Sequence, residues 1–178
     1  MQTFIHNKDV FTVTEADSLV LPVDGSGPNL IGNLAQQFMK RIGVDRLEGM
    51  LAPPPHSPYN GEPVWSQIAG MFDTHFDYVC CIDSLSHADG ADHRAMLRKT
   101  FNLMFDGMAC GGVGKSVACT ILTGGSRIPP VDALYIMLEV IEKWRHLSYE
   151  VHIAEQDPER FELLQRTVRK DVAASYVR

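Results

Sequence analysis

The chain has 178 residues, with 45% hydrophobic and 21% charged residues, values typical of a globular protein with a hydrophobic core rather than a disordered chain. Its formal net charge of -6 argues against a surface that binds nucleic acid through phosphate contacts, although a local basic patch stays open. No apolar run approaches the roughly 20 residues that a membrane helix needs, and the N-terminal segment lacks the apolar core of a signal peptide. We therefore expect one domain over residues 1–178, with neither a nucleic acid nor a membrane as partner.

Short apolar runs predict the strands, and two of these runs are weaker than the others. In chain order the strand candidates are Thr3–His6 (weaker), Ser18–Val23, Val64–Ala69 (weaker), Tyr78–Ile82, Ser116–Leu122 and Glu150–Ala154. Helical patterns alternate with them, at Leu30–Ile42, Asp92–Ala109, Val131–His146 and from Asp157-Pro158 onward. Strands that alternate with helices predict a parallel or mixed sheet covered by helices on both faces.

The four cysteines predict a reducing compartment. Cys80 and Cys81 are adjacent in an apolar run, where strand geometry points them to opposite faces and so away from each other. The sequence has no CxxC pair, and free cysteine is most often buried. We expect Cys80, Cys81, Cys110 and Cys119 to be reduced core residues, and the protein to be cytoplasmic.

Two glycine-rich loops each follow a predicted strand. The first runs from Asp24 to Asn29 and the second from Thr123 to Arg127. In α/β sheets, ligands bind beyond the carboxyl ends of the strands, and glycines let backbone amides face a bound anion such as a phosphate. The alternative is that these glycines only turn the chain.

A third glycine-rich segment, Gly111–Ser116, resembles a nucleotide-binding phosphate loop but has the opposite context. A phosphate loop follows a strand and opens a helix, whereas this segment follows a helical pattern and precedes a predicted strand. We interpret Gly111 and Gly112 as the end of a helix.

Around the first two loops the sequence resembles the macro domain family, which binds ADP-ribose. Lys8-Asp9-Val10 is similar to the family's opening Gly-Asp-Ile, and residues 16–24 are similar to the strand that ends in Val-Asn-Ala-Ala-Asn. Residues 25–30 stand where the family has its glycine-rich loop, and Leu122–Pro130 is similar to its later Ser-Thr-Gly loop. The resemblance covers nearly the whole chain and implies a three-layer α/β/α fold with a central mixed sheet.

The resemblance also implies a set of binding residues. Asp9 would accept a hydrogen bond from the adenine amino group beside the Val10 backbone, the earlier loop would wrap the diphosphate and distal ribose, and the later loop would hold the phosphates. Arg127 could add a positive charge. The implied ligand-binding residues are Asp9, Val10, Gly25, Ser26, Gly27, Asn29, Leu30, Thr123, Gly124, Gly125, Ser126 and Arg127.

The chain departs from the family pattern at several of these positions. The family's two asparagines fall at Leu21 and Asp24, Pro28 removes an amide donor, and residues 154–157 contain no aromatic ring. An ionised Asp24 cannot donate a hydrogen bond and would bring a negative charge close to a diphosphate.

Three functions therefore stay open at this point. The first is the binding of ADP-ribose, a related nucleotide or an ADP-ribosylated protein. The second is a hydrolase that removes ADP-ribose, or a phosphate from an ADP-ribose derivative, with Asp24 as the catalytic base. The third is a domain that has kept the fold, lost the ligand and acts in protein assembly. We expect no cofactor, and the sequence leaves the oligomeric state open.

One further cluster, His87, Asp89, Asp92 and His93, has ligand types that bind divalent metals. The alternative, which we favour, is a polar loop in which Asp92 caps the following helix. We therefore predict no metal site.

Overall fold

The computed structural model describes residues 1–23, 33–42, 62–71, 73–83 and 92–171. Its strands are β1 (Gln2–His6), β2 (Ser18–Val23), β3 (Val64–Gln67), β4 (Tyr78–Asp83), β5 (Ser116–Thr120) and β6 (Glu150–Ala154). Its helices are α1 (Asn33–Ile42), α2 (His93–Gly111), α3 (Pro130–Lys143) and α4 (Pro158–Asp171), and a 3-10 turn covers Val10–Thr12. All six strand candidates, including the two weaker ones, and all four helical patterns are confirmed.

The six strands form one mixed sheet in the order β1-β6-β5-β2-β4-β3. Every neighbouring pair is parallel except β3, which runs antiparallel to β4. The five parallel strands therefore end at the same edge of the sheet, and their carboxyl ends and the loops that follow lie side by side there.

The two faces of the sheet carry separate hydrophobic clusters, and the pair Cys80-Cys81 shows how they arise. Cys80 belongs to the cluster that α2, α3 and α4 cover, whereas Cys81 belongs to the cluster that contains Phe38 of α1. Successive strand residues point to opposite faces, so one apolar run supplies both cores. The three-layer α/β/α prediction is confirmed.

The prediction that all four cysteines are buried is wrong for one of them. Cys80, Cys81 and Cys119 are buried free thiols on strands, but Cys110 is exposed. Cys110 lies in the last turn of α2, outside the apolar stripe that packs on the sheet.

The ends of α2 confirm two sequence interpretations. The Asp92 carboxylate accepts hydrogen bonds from the amides of Arg94 (3.0 Å) and Ala95 (3.1 Å), as a helix cap does. At the other end Gly112 has φ 63° in the left-handed region, and β5 begins at Ser116. The segment that resembles a phosphate loop is therefore a helix end followed by a strand.

The differences from the predicted boundaries are small. β5 ends at Thr120 rather than Leu122, because the chain leaves the sheet after the pairing of Thr120 with Ala154. The first three residues of the predicted helix Leu30–Ile42 lie outside the described residues. Among the residues that the structure describes, no helix has the length and apolar character needed to cross a membrane.

Candidate functional site

A cleft of about 260 Å³ opens at the edge of the sheet where the parallel strands end. Its floor comes from the ends of β5 and β6, and one wall comes from α1. The described residues that line it are Val10, Asn33, Leu34, Gln37, Thr120, Ile121, Thr123, Ala154, Glu155, Gln156 and Arg160. The cleft lies where the strand-end rule predicts a ligand site.

The loop Thr123–Arg127 borders this cleft through Thr123 and has an unusual backbone. Gly124, Gly125 and Ser126 have φ values of 56°, 62° and 68°, so three consecutive residues are left-handed. Thr123 holds the loop closed, because its Oγ1 accepts from the amide of Ser126 (3.4 Å) and its carbonyl accepts from that of Ile128 (3.0 Å).

Two amides of this loop have no acceptor in the described part of the chain, namely those of Gly124 and Gly125. Gly125 is exposed to solvent, whereas Gly124 is buried. Free amides on a glycine turn are donors for an anion, as the sequence pattern predicts for this loop.

The turn after β1 brings Val10 to the cleft and keeps Asp9 out of it. Asp9 Oδ1 accepts from the amide of Phe11 (3.0 Å), and Oδ2 lies 3.7 Å from Nη2 of Arg41. Val10 is buried and lines the cleft, but Asp9 is not among the lining residues. Asp9 therefore caps the turn that positions Val10.

Sequence reasoning missed the polar residues on the β6 side of the cleft, Glu155, Gln156 and Arg160. The strand-end rule, applied to the loop after β6, would have indicated the first two. Arg160 lies on the first turn of α4, where a surface arginine in an amphipathic helix gives no signal. Asn33 and Gln37 of α1 were also missed, because they line the cleft only through the packing of α1 on the sheet.

A pair of histidines lies on the sheet face next to the β6 side of the cleft. His6 Nε2 and His152 Nδ1 are 2.9 Å apart, and the two rings stack at 5.2 Å between centroids. His152 is buried, and its Nε2 lies 3.4 Å from Glu150 Oε2 but has no hydrogen-bond partner among the described residues. Burial lowers the pKa of both histidines, so the pair is neutral at pH 7.

A second, smaller depression of about 200 Å³ is lined by Phe11, Phe38, Arg41, Asp73, Thr74 and His75. Arg41 covers it, with its guanidinium 4.3 Å from the centroid of the Phe11 ring and paired with Asp9. No strand end and no glycine turn of the described chain contributes to it, and we assign it a packing role.

Several sequence candidates lie outside the described residues. They are Asp24, Gly25, Ser26, Gly27, Asn29 and Leu30 of the earlier loop, and His87 and Asp89 of the metal candidate. Asp92 of that candidate serves as the cap of α2, and the described residues contain no group of three or more histidine, cysteine or acidic side chains placed to hold a metal.

Comparison with known proteins identifies structural relatives at low sequence identity. No family model and no curated protein matches the chain. The fold is similar to an Oceanobacillus iheyensis macrodomain with ADP (TM-score 0.75, 13% identity, covering 93% of this chain and 89% of that one). It is also similar to the macro domain of ganglioside induced differentiation associated protein 2 (TM-score 0.70, 12% identity, 98% and 85%). A third similar structure is a Trypanosoma brucei macrodomain in complex with ADP-ribose (TM-score 0.67, 15% identity, 92% and 68%).

Proposed function

We propose that this chain, which has the macrodomain fold, binds ADP-ribose or a closely related nucleotide. The observation that carries the proposal is the cleft at the carboxyl ends of β5 and β6, bordered through Thr123 by a glycine turn in which the amides of Gly124 and Gly125 have no acceptor in the described part of the chain. Similar structures whose ligands are ADP and ADP-ribose support the choice of nucleotide.

The order of the strands suggests how the ligand lies. The Thr123–Arg127 loop follows β5, near the middle of the sheet, whereas Val10 and Glu155 follow β1 and β6 at its edge. We place the diphosphate at the glycine turn, where amides can donate to it, and the base beside Val10. The distal ribose then extends toward the end of β2.

Calorimetric titration of the chain with ADP-ribose tests this function. We expect saturable binding of one nucleotide per chain with a dissociation constant in the micromolar range. This range corresponds to a binding free energy of about -8 kcal/mol. No heat and no thermal shift at millimolar ADP-ribose would overturn the proposal.

Gly125→Ala and Gly70→Ala form a matched pair of variants that tests the glycine turn. Both glycines have positive φ (62° and 68°), so alanine strains the backbone at each position to a similar degree. Only Gly125 lies in the turn with the free amides, and an added Cβ at Gly70 meets nothing within 4 Å. Alanine keeps the amide N–H but disfavours the left-handed backbone that turns it outward, so we expect Gly125→Ala to weaken binding by about tenfold, whereas Gly70→Ala leaves it unchanged. If the two variants bound ADP-ribose with equal affinity, the amides of the glycine turn would not contact the ligand.

The hydrolase alternative depends on Asp24, which lies outside the described residues. An assay for release of ADP-ribose from an ADP-ribosylated protein, with Asp24→Ala as control, tests it. We propose binding as the function because its supporting features lie within the described cleft.

A further inference from the structure

The β6 side of the cleft carries one strongly anchored acidic residue, Glu155. Its amide donates to the carbonyl of His6 (3.0 Å), and its carbonyl accepts from Nδ2 of Asn7 (3.0 Å). Its Oε1 accepts from the amide of Asp157 (3.0 Å), and only 12% of its side chain is exposed. Both the backbone and the carboxylate of Glu155 are therefore fixed before any ligand arrives.

Glu155 in turn holds Arg160. The guanidinium Nη1 lies 3.3 Å from Glu155 Oε2, and 48% of the Arg160 side chain is exposed. The backbone of Arg160 is held in place, since its amide donates to Asp157 Oδ1 (2.9 Å) at the start of α4. The pair thus presents a positioned planar cation and a carboxylate side by side in the lining of the cleft.

The described lining of the cleft contains no aromatic ring. A nucleotide base bound there has the aliphatic side chains of Val10 and Ile121 on which to rest, and the only cationic side chain in the described lining is the planar guanidinium of Arg160. Guanidinium groups stack on aromatic faces, and this stacking needs the plane of the group as well as its charge.

We propose that Arg160 stacks on the base of the bound nucleotide and that Glu155 accepts a hydrogen bond from an exocyclic amino group of that base. The inference rests on the proposed function. In it, the Glu155–Arg160 pair determines which nucleotide base the cleft binds. Each oxygen of the Glu155 carboxylate accepts one hydrogen bond from the chain, which leaves a lone pair on each for a ligand. Asp9, by contrast, does not line the cleft.

Three substitutions at Arg160 separate stacking from charge. Arg160→Lys keeps the charge and loses the plane, Arg160→Phe keeps a plane and loses the charge, and Arg160→Ala loses both. We expect Arg160→Ala and Arg160→Lys to weaken ADP-ribose binding by about tenfold, as loss of one stacked partner does, and Arg160→Phe to bind within about threefold of the unaltered chain. Arg166→Ala is the control, because Arg166 also lies on α4 and pairs with an acidic residue (Glu162 Oε2, 2.9 Å) but does not line the cleft.

Calorimetry with ADP-ribose and with ribose 5-phosphate, which has no base, completes this test. We expect the Arg160 variants to change only the affinity for ADP-ribose. Retained affinity in Arg160→Lys with loss in Arg160→Phe would assign Arg160 to a phosphate and overturn the stacking role. Since the unaltered chain is titrated alongside, absence of any ADP-ribose binding would instead overturn the proposed function. Melting temperatures of all variants show whether each is folded.

The hydrogen bond to Glu155 is tested by the choice of base. The purine riboside analogue of ADP-ribose carries a hydrogen in place of the adenine amino group, so a carboxylate that accepts from this amino group is left without a partner. We expect the unaltered chain to prefer ADP-ribose by about tenfold or more, since an unmatched buried acceptor is costly. Glu155→Gln, whose neutral amide oxygen is a weaker acceptor and costs less when unmatched, should reduce this preference, while Asp9→Asn should preserve it. If Asp9→Asn lost the preference for ADP-ribose and Glu155→Gln kept it, Asp9 rather than Glu155 would bind the amino group of the base.

Discussion

At the scale of single residues, the four cysteines differ in access although they are chemically identical. Burial raises the pKa of Cys81 and Cys119 to about 12 and raises that of Cys80 well above its ordinary value, while Cys110 is exposed. A thiol reacts as the thiolate, so the three strand cysteines are inert in the folded chain.

We therefore predict that a thiol reagent at pH 8 modifies one cysteine of the native protein rapidly and the other three only on unfolding. The measurement is the time course of labelling with a chromogenic disulfide, with and without denaturant. Cys110→Ser should abolish the rapid phase of labelling. It should also reduce by one the number of thiols that are labelled in denaturant. A rapid phase that survives this substitution would mean that one of the strand thiols is accessible.

Residues of the site differ in how far the sequence could predict them. The Thr123–Arg127 loop was predictable because its glycines directly follow an apolar strand, and local sequence carries both signals. Glu155 and Arg160 form a pair across a helix start, and the significance of the pair depends on which other strand ends lie beside β6. That adjacency is a property of the sheet order, which single-residue patterns do not contain. The predicted ligand role of Asp9 stays a prediction, with its carboxylate bonded to the turn it caps.

At the scale of elements, α2 contains two glycines in very different surroundings. A Cβ added at Gly107 would lie 2.8 Å from Nε1 of Trp65, whereas a Cβ at Gly111 would meet only Val113 side-chain carbons at 3.6 Å or more. Trp65 Nε1 is buried and has no hydrogen-bond partner among the described residues. Gly107 is therefore the point where α2 packs closely on β3.

Alanine at these two positions should have opposite effects on stability. Gly111→Ala gains helix propensity and should raise the free energy of unfolding by up to about 1 kcal/mol. Gly107→Ala gains the same propensity but must displace a rigid indole ring, and we expect a net loss of about 1–2 kcal/mol. Urea unfolding of both variants measures the difference. Equal stabilisation by the two alanines would show that the contact between α2 and β3 relaxes without cost.

Elements were predicted well where the apolar pattern and the end signals agree. Asp157-Pro158 marks the start of α4 because a capping side chain and a proline at the first helical position both favour it. The end of β5 was placed two residues too far, because Ile121 and Leu122 are apolar and buried although they no longer pair with a strand. Hydrophobicity reports burial, and the end of a strand depends on a hydrogen-bonding partner that the local sequence does not show.

At the scale of the whole molecule, the His6–His152 pair makes stability depend on pH. Burial holds the pKa of both histidines below the ordinary value of 6.5. The charged groups that face the pair are Lys8, Glu15 and Glu150, and the acidic ones only partly offset the burial. Below pH 6.5 the unfolded chain thus binds protons that the folded chain does not, and stability falls as pH falls.

We predict that the free energy of unfolding is constant from pH 8 to 7 and decreases from pH 6.5 to 5.5. The limiting slope is about 1.4 kcal/mol per pH unit for each histidine that stays neutral. His152→Phe, which keeps a ring beside Phe4, should flatten the decrease, and His146→Gln at an exposed position should not. Urea unfolding at each pH measures the slope, and histidine resonances in NMR should titrate below 6.5 for this pair. An unchanged slope in His152→Phe would contradict the assignment.

The position of β1 also determines when the sheet can be completed during synthesis. Within the described sheet β1 lies at the edge and pairs only with β6, Gln2 opposite Glu150. A ribosome adding about 5–20 residues per second would take roughly 10–30 seconds to make the partner of the first strand. During that interval β1 lacks its partner strand, and the cleft that Val10 and Glu155 line together is incomplete. The proposed nucleotide binding should therefore begin only after β6 has emerged, and truncations that remove β6 should lose both this binding and the pairing of β1.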